Sequence, residues 1–350
     1  MTAATSAARR VPIRIPFQTI TPEQRATFLR DGFLVLPDLI PRSVALSLAS
    51  RYDGLFRGDF ETGTYPDEWY GREGMSLPLC VKEICNGWKS DRLVASVALS
   101  AGLGKLATDL MGWESGARIG QDDVLHKPPG GSEVAFHQDS AYISRQFVPP
   151  DDNSVTIWCA LDDVDPSTGS VEYVPGSHRW QQRESSVSGS SGSSSSSGGS
   201  SSSGGSSSSS SLDMQTSTFH SGGGAGGDGY RSAMFEAAEA CGIAREDVPP
   251  VQSITVQAGG AVVHHQDVWH GSDRNRTADR PRRALGVHLL RSDVQFRGGD
   301  ALLGDGTEGP TYIYGRYKEL GSADVPEKHF PVTFGPGRSE FLDDYCTVAA

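Results

Sequence analysis

Ala261-Val262-Val263-His264-His265-Gln266-Asp267-Val268-Trp269-His270 is the stretch on which the architecture turns. Three apolar residues open it after Gly259-Gly260, two histidines follow, and a third stands before Gly271-Ser272. A short apolar run between glycines reads as a strand, Ala261–His265. Outward from it, Ser253–Val256 precedes and Ala284–Leu290 follows. Four more strands, Arg118–Leu125, Val134–Asp139, Ser154–Leu161 and Ser170–Val174, lie upstream. Between the two groups, every residue from Ser185 to Ser211 except Val187 is Ser or Gly, and a second glycine-rich patch spans Ser221 to Gly229. Such a tract cannot bury enough apolar surface to offset the entropy of ordering, so it is expected to be a disordered coil. Neither strand group can close a barrel alone. The tract therefore reads as a loop insertion, which costs little because closure entropy grows only as the logarithm of length.

Helical signals come first along the chain. Thr21-Pro22-Glu23-Gln24 combines a capping Thr, Pro at the first helical position and Gln three residues after the cap. The helix should run to about Arg30 and stop at Asp31-Gly32. Phe33–Leu36 then reads as a strand, a second helix follows Pro41, and a third should span Asp91 to Met111. Helices followed by many short strands predict a mainly β domain with flanking N-terminal helices, a barrel or jelly roll.

Composition narrows the function. With 31 Lys+Arg against 43 Asp+Glu the net charge is −12, which disfavours a general nucleic-acid or anionic-membrane binder. No run reads as apolar over the roughly 18–20 residues a bilayer span needs. The start, Met1 to Phe17, lacks the apolar core of a secretory signal, although its basic, hydroxyl-bearing character leaves organelle targeting open. Five cysteines without C-x-x-C spacing fit a reducing compartment. The expectation is a cytoplasmic protein, monomeric or dimeric, acting on a small molecule.

The sharpest chemical signal is Phe136-His137-Gln138-Asp139-Ser140. On a strand, His137 and Asp139 project to one side and can either orient each other or ligate a metal together. His264, His265, His270, His288 and His178 are available as a third donor. Two His and one carboxylate on one face leave positions open, the pattern of non-haem Fe(II) that activates O₂. Zinc would more often add His or Cys. Arg280-Pro281-Arg282-Arg283 offers a guanidinium for the carboxylate of an organic acid. Arg274, Arg276 and Arg280 read as solvated charge, whereas an Arg entering the apolar strand Ala284-Leu285-Gly286-Val287 does not.

Taken in order, Lys127–Gly131 (K-P-P-G-G), Phe136–Ser140 (F-H-Q-D-S), Val174–Arg179 (V-P-G-S-H-R) and Trp269–Ala284 (W-H-G-S…N-R-T…R-P-R-R-A) resemble the phytanoyl-CoA dioxygenase family, as does Asp31–Pro37 (D-G-F-L-V-L-P). These are Fe(II)- and 2-oxoglutarate-dependent oxygenases that include ectoine hydroxylase and natural-product tailoring enzymes. The resemblance covers roughly Ile20 to Arg291 and implies a double-stranded β-helix, or jelly-roll, fold. It also implies that His137, Asp139 and His270 hold the iron, with 2-oxoglutarate and O₂ as cosubstrates. Arg282 and Ser272 match the positions that bind the far carboxylate of 2-oxoglutarate. Gln121 stands near a cosubstrate-contacting Gln, and Trp158 is placed to pack against the cosubstrate or into the core. The segment between His270 and Arg282 is one residue longer than the usual pattern, which keeps Arg283 as an alternative anchor. Only one of the two can face the barrel interior. Relatives that halogenate carry a small residue where Asp139 stands, so the resemblance implies a hydroxylase and not a halogenase. A cupin-like metalloenzyme without 2-oxoglutarate and a non-catalytic barrel are the competing readings. Two of the implied ligands precede the Ser/Gly tract and one follows it. The expectation is therefore one catalytic domain over residues 1–350, with 185–229 as a disordered loop insertion.

Overall fold

The computed structural model describes residues 10–13, 15–72, 74–180, 228–298 and 312–349. The expected insertion at 185–229 falls almost wholly outside the described residues, as do residues 1–9 at the basic start of the chain.

The first helix, α1 (Pro22–Asp31), forms as its signals predict. Thr21 accepts from Gln24 N while the Gln24 side chain accepts from Thr21 N, and the chain leaves the helix at Gly32 in the left-handed region. A cap of this kind is worth about 1 kcal/mol. The strand β1 (Phe33–Leu36) follows directly, then α2 (Arg42–Arg57).

The expected helix Asp91–Met111 is two helices, α3 (Arg92–Ala98) and α4 (Ala101–Met111). Ser100 breaks the run because its hydroxyl accepts from Leu103 N and starts a new helix. The stretch Arg92–Met111 is also long and apolar enough, by composition, to cross a membrane, contrary to the sequence expectation; most of it is buried in the core of this fold. Gly102 and Gly104 look like helix weakeners, yet both are close-approach sites. A Cβ on Gly102 would lie 2.8 Å from the Ile15 carbonyl oxygen, and one on Gly104 2.7 Å from Phe334 Cβ.

The strands form two main antiparallel sheets. In the larger, β1, β9 (Ala261–His265), β6 (Ser154–Ala160), β11 (Arg282–Arg291), β4 (Ala117–Lys127), β3 (Lys82–Cys85) and β2 (Glu68–Tyr70) follow in that order, with β12 (Val332–Phe334) beside the start of β4. The smaller sheet runs β8 (Gln252–Ser253), β7 (Val171–Tyr173), β10 (His270–Ser272), β5 (Val134–His137). Strands from both sides of the Ser/Gly tract alternate in each sheet: β9 lies between β1 and β6, and β10 between β7 and β5.

This is a double-stranded β-helix, a jelly roll with helices on one side. The principal apolar core joins α1, α2, α3 and α4 to the outer face of the large sheet, through residues such as Leu48, Leu55, Leu103, Leu106, Ile157 and Leu285. A second core, with Phe33, Trp158, Tyr173 and Val262, lies between the sheets. The helices leave the inner face free to build a cavity.

Candidate active site

The cavity between the sheets is lined by His137, Asp139, Thr156, Trp158, His264, His270, Ser272, Arg282 and His288 among others. His137 ends β5 and His270 begins β10, and the two are direct partners across the ladder with ring centroids 4.2 Å apart. Gly271 permits that approach, because a Cβ there would meet Phe136 Cδ2 at 2.6 Å. The strand stops at His137, two residues short of the sequence expectation. Gln138 is extended and Asp139 opens a short 3₁₀ turn that still brings its carboxylate to the same side.

Hydrogen bonding fixes which atoms point inward. His137 Nδ1 lies 2.8 Å from the Ala135 carbonyl oxygen, and His270 Nδ1 lies 3.0 Å from that of Val268. A carbonyl only accepts, so each Nδ1 carries the proton and each Nε2 presents a lone pair. Asp139 Oδ1 is 3.4 Å from His270 Nε2 and 3.7 Å from His137 Nε2. One donor atom from each of the three lies within 4.8 Å of the other two, close enough to hold a metal ion. Burial, then the neighbouring His270, pushes His137 down to about 3, so its ring is neutral at ordinary pH. Burial opposes the charge on Asp139, but its surroundings, the hydrogen bond from His264 among them, hold it well below the usual carboxylate range. His264 and His265, adjacent on β9, face opposite ways. His264 lines the cavity, whereas His265 pairs with Asp152 at 2.8 Å away from it.

The same cavity has a cationic end. Arg282 opens β11 and is buried with its guanidinium 5.5 Å from the Trp158 ring centroid, and its Nε has no partner among the described residues. Burial draws it down to about 10. Arg283 turns outward and makes two hydrogen bonds to the Asp162 carboxylate from its side chain, at 3.0 and 2.6 Å. Lys127, which the family motif includes but sequence reasoning gave no role, is wholly buried beside them. Its Nζ donates to Ser272 Oγ at 2.7 Å and to the Asp273 carbonyl at 2.5 Å. Burial, then the charge of Arg282, pushes this amine well below its ordinary value. A buried guanidinium and a buried amine, with no carboxylate bonded to either among the described residues, form a receptor for an anion.

Other expected residues fall elsewhere. Gln121 is outside the cavity lining, donating to Asp123 Oδ1 at 2.7 Å and accepting from Tyr314 at 3.2 Å. Arg274, Arg276 and Arg280 make surface pairs with Glu133, Asp273 and Asp165. His288 reaches Asp123 at 2.7 Å through Nε2 and Thr156 at 2.7 Å through Nδ1. Asp123 also belongs to a second buried group, Glu83, Cys85 and Asp123, whose donor atoms lie within 4.8 Å.

A jelly roll with two histidines and one aspartate converging inside it, beside an anion receptor, defines the class. The model of the phytanoyl-CoA dioxygenase (PhyH) family matches residues 28–284. The chain belongs to that family. Among solved structures it is similar to the non-heme alpha ketoglutarate dependent carbocyclase SnoK from nogalamycin biosynthesis, at 18% identity over 89% of this chain and 96% of that one, with a TM-score of 0.57. SnoN, an epimerase from the same biosynthesis, is 16% identical over 89% and 97%, with a TM-score of 0.55. EctD from S. alaskensis with bound Fe is 18% identical over 91% and 95%, also at 0.55. At such identities the likeness is one of fold. No curated protein sequence matches the chain.

Proposed function

We propose that the protein is a non-haem iron, 2-oxoglutarate-dependent oxygenase that oxidises an unactivated C–H bond of a small molecule. In this reading His137, Asp139 and His270 hold Fe(II), and Arg282, Ser272 and Lys127 receive the far carboxylate of 2-oxoglutarate. The observation that carries it is the pairing of an inward-facing His/Asp/His donor set with a buried guanidinium and a buried amine to which no carboxylate bonds among the described residues. The donors fit iron because both imidazoles present Nε2 and the remaining ligand is a carboxylate. The cationic end fits a dicarboxylate because a buried guanidinium with no carboxylate bonded to it among the described residues lacks the counterion its burial demands.

When bound, iron and 2-oxoglutarate supply with O₂ the oxidising power for the C–H bond, and 2-oxoglutarate leaves as succinate and CO₂. The chain's own part is positioning. Ala135 and Val268 hold the two rings in one tautomer, Trp158 floors the guanidinium, and the apolar walls Leu125, Val134 and Val171 keep water out. Asp139 occupies the position where halogenating relatives have a small residue, and hydroxylation is the outcome we propose. The fold also serves a carbocyclase and an epimerase, so product analysis decides the outcome. We read residues 1–350 as one catalytic domain interrupted at 185–229, a reading supported by the alternation of strands from the two sides.

The test is succinate formation by Fe(II)-loaded protein given 2-oxoglutarate and O₂. Iron-dependent succinate that disappears in His137→Ala is expected; succinate unaffected by that change contradicts the assignment.

A further inference from the structure

The oxygen of Asp139 that faces away from the two histidine ligands is itself held. Thr156 Oγ1 lies 2.5 Å from Oδ2 and His264 Nε2 lies 2.9 Å from it. An ionised carboxylate only accepts, so the Thr156 hydroxyl and the His264 Nε2–H both donate. That assignment leaves His264 Nδ1 with a lone pair, and the Tyr173 hydroxyl sits 2.8 Å away as its donor. Tyr173 is wholly buried, its ring stacked on Phe33 at 4.6 Å, and its backbone pairs with His270 across β7 and β10. Thr156 is fixed in the same way: its oxygen accepts from His288 Nδ1, whose Nε2 donates to Asp123. Two separate arms, one running through the large sheet alone and one reaching back to Tyr173 in the small sheet, therefore end on a single oxygen.

An octahedral ion has room for two imidazoles, one carboxylate oxygen, a chelating 2-oxo acid and O₂, with nothing left over. A carboxylate free to swing and chelate through both oxygens would take the place of one of these. We propose that Thr156 and the His264–Tyr173 pair are positioning residues that compel Asp139 to present Oδ1 alone. This rests on the reading of His137, Asp139 and His270 as metal ligands. It adds that the neighbours of Asp139, and not Asp139 alone, keep a coordination position open. Outer partners of metal ligands typically change metal affinity or activity by about 10–100-fold when removed.

The experiment uses Mn(II), which reports binding without turnover. Mn(II) affinity, and 2-oxoglutarate affinity of the Mn(II)-loaded protein, are measured for the wild type and for Thr156→Val, His264→Phe, His264→Gln, Tyr173→Phe and His137→Ala. Thr156→Val and His264→Phe are expected to lose about tenfold or more in one of the two affinities. His264→Gln, which keeps a donor toward Oδ2, should stay within about threefold of wild type. Thermal unfolding of the metal-free proteins separates this from misfolding. Should His264→Phe fail to fold, Tyr173→Phe reads the same arm and should show the same loss. Wild-type affinities in Thr156→Val and in the His264 arm overturn the positioning role. Undiminished Mn(II) binding by His137→Ala would instead overturn the metal site itself.

Discussion

Arg282 and Arg283 are neighbours in the chain, and their side chains leave the start of β11 in opposite directions, one into the cavity and one onto Asp162. The alternation of a strand makes this unavoidable. It should separate the two residues in function as well. Arg282→Ala should raise the KM for 2-oxoglutarate by about 10–100-fold, since a hydrogen bond to a charged group is worth roughly 1.5–3 kcal/mol. Arg283→Ala should leave that KM within about twofold and cost about 1 kcal/mol of stability through its pair with Asp162. Steady-state kinetics and denaturant unfolding on both variants check the split.

Lys127 behaves oppositely in the empty and loaded protein. Its amine is buried near Arg282 with only a hydroxyl and a carbonyl for partners among the described residues, so carrying a charge there is unfavourable until an anion arrives. Lys127→Met should therefore unfold within about 1 kcal/mol of the wild type without 2-oxoglutarate. The rise in unfolding midpoint that 2-oxoglutarate gives the wild type should vanish in the variant. Thermal melts with and without the ligand read both effects.

His126 lies on the outer face of β4 against Phe56, at 6.1 Å between rings. Burial, then Lys82 and Arg283, draws it from 6.5 down to about 4. In the unfolded chain it protonates near 6.5, while the folded protein resists the proton until about pH 4. Its contribution is thus complete above pH 6.5 and is lost as pH falls from 6.5 to 4, by at most about 3 kcal/mol. His126→Gln should narrow the stability difference between pH 7.5 and pH 4.5, measured by urea unfolding at each pH.

The segment 188–210 joins strands that already pair across it, since β7 and β10 are hydrogen-bonded neighbours and β6 lies beside β9. A chain lacking these residues should fold with an unfolding midpoint within a few degrees of the full chain. Lengthening or shortening a loop costs little, about 0.6 kcal/mol per doubling.

What the sequence shows of this site divides by distance along the chain. His137 and Asp139 announce themselves because two residues of extended chain place them together, and the Thr21 cap and the strand Ala261–His265 are equally local. His264 reads as a strand end and its partner is Asp139, 125 residues away; no spacing rule connects them. Lys127 stands in a visible motif, but its burial against Ser272, 145 residues on, follows only from the barrel closing. The break at Ser100 was hidden for a different reason: an apolar, periodic run on both sides outweighs one hydroxyl in a pattern, while in three dimensions that hydroxyl is a cap. Gln121 stands near the place of a cosubstrate-contacting Gln along the chain, and a place along the chain fixes neither the face nor the neighbour that claims a side chain.

The account stands on a single metal face built from β5, the turn after it and β10. An anaerobic titration of the protein with Fe(II) and 2-oxoglutarate, followed by admission of O₂ and quantification of succinate, tests it most directly. The wild type should form succinate in proportion to bound iron, and His270→Ala should form none above the protein-free background. Succinate from His270→Ala at the wild-type rate, or none from an iron-saturated wild type, would contradict it.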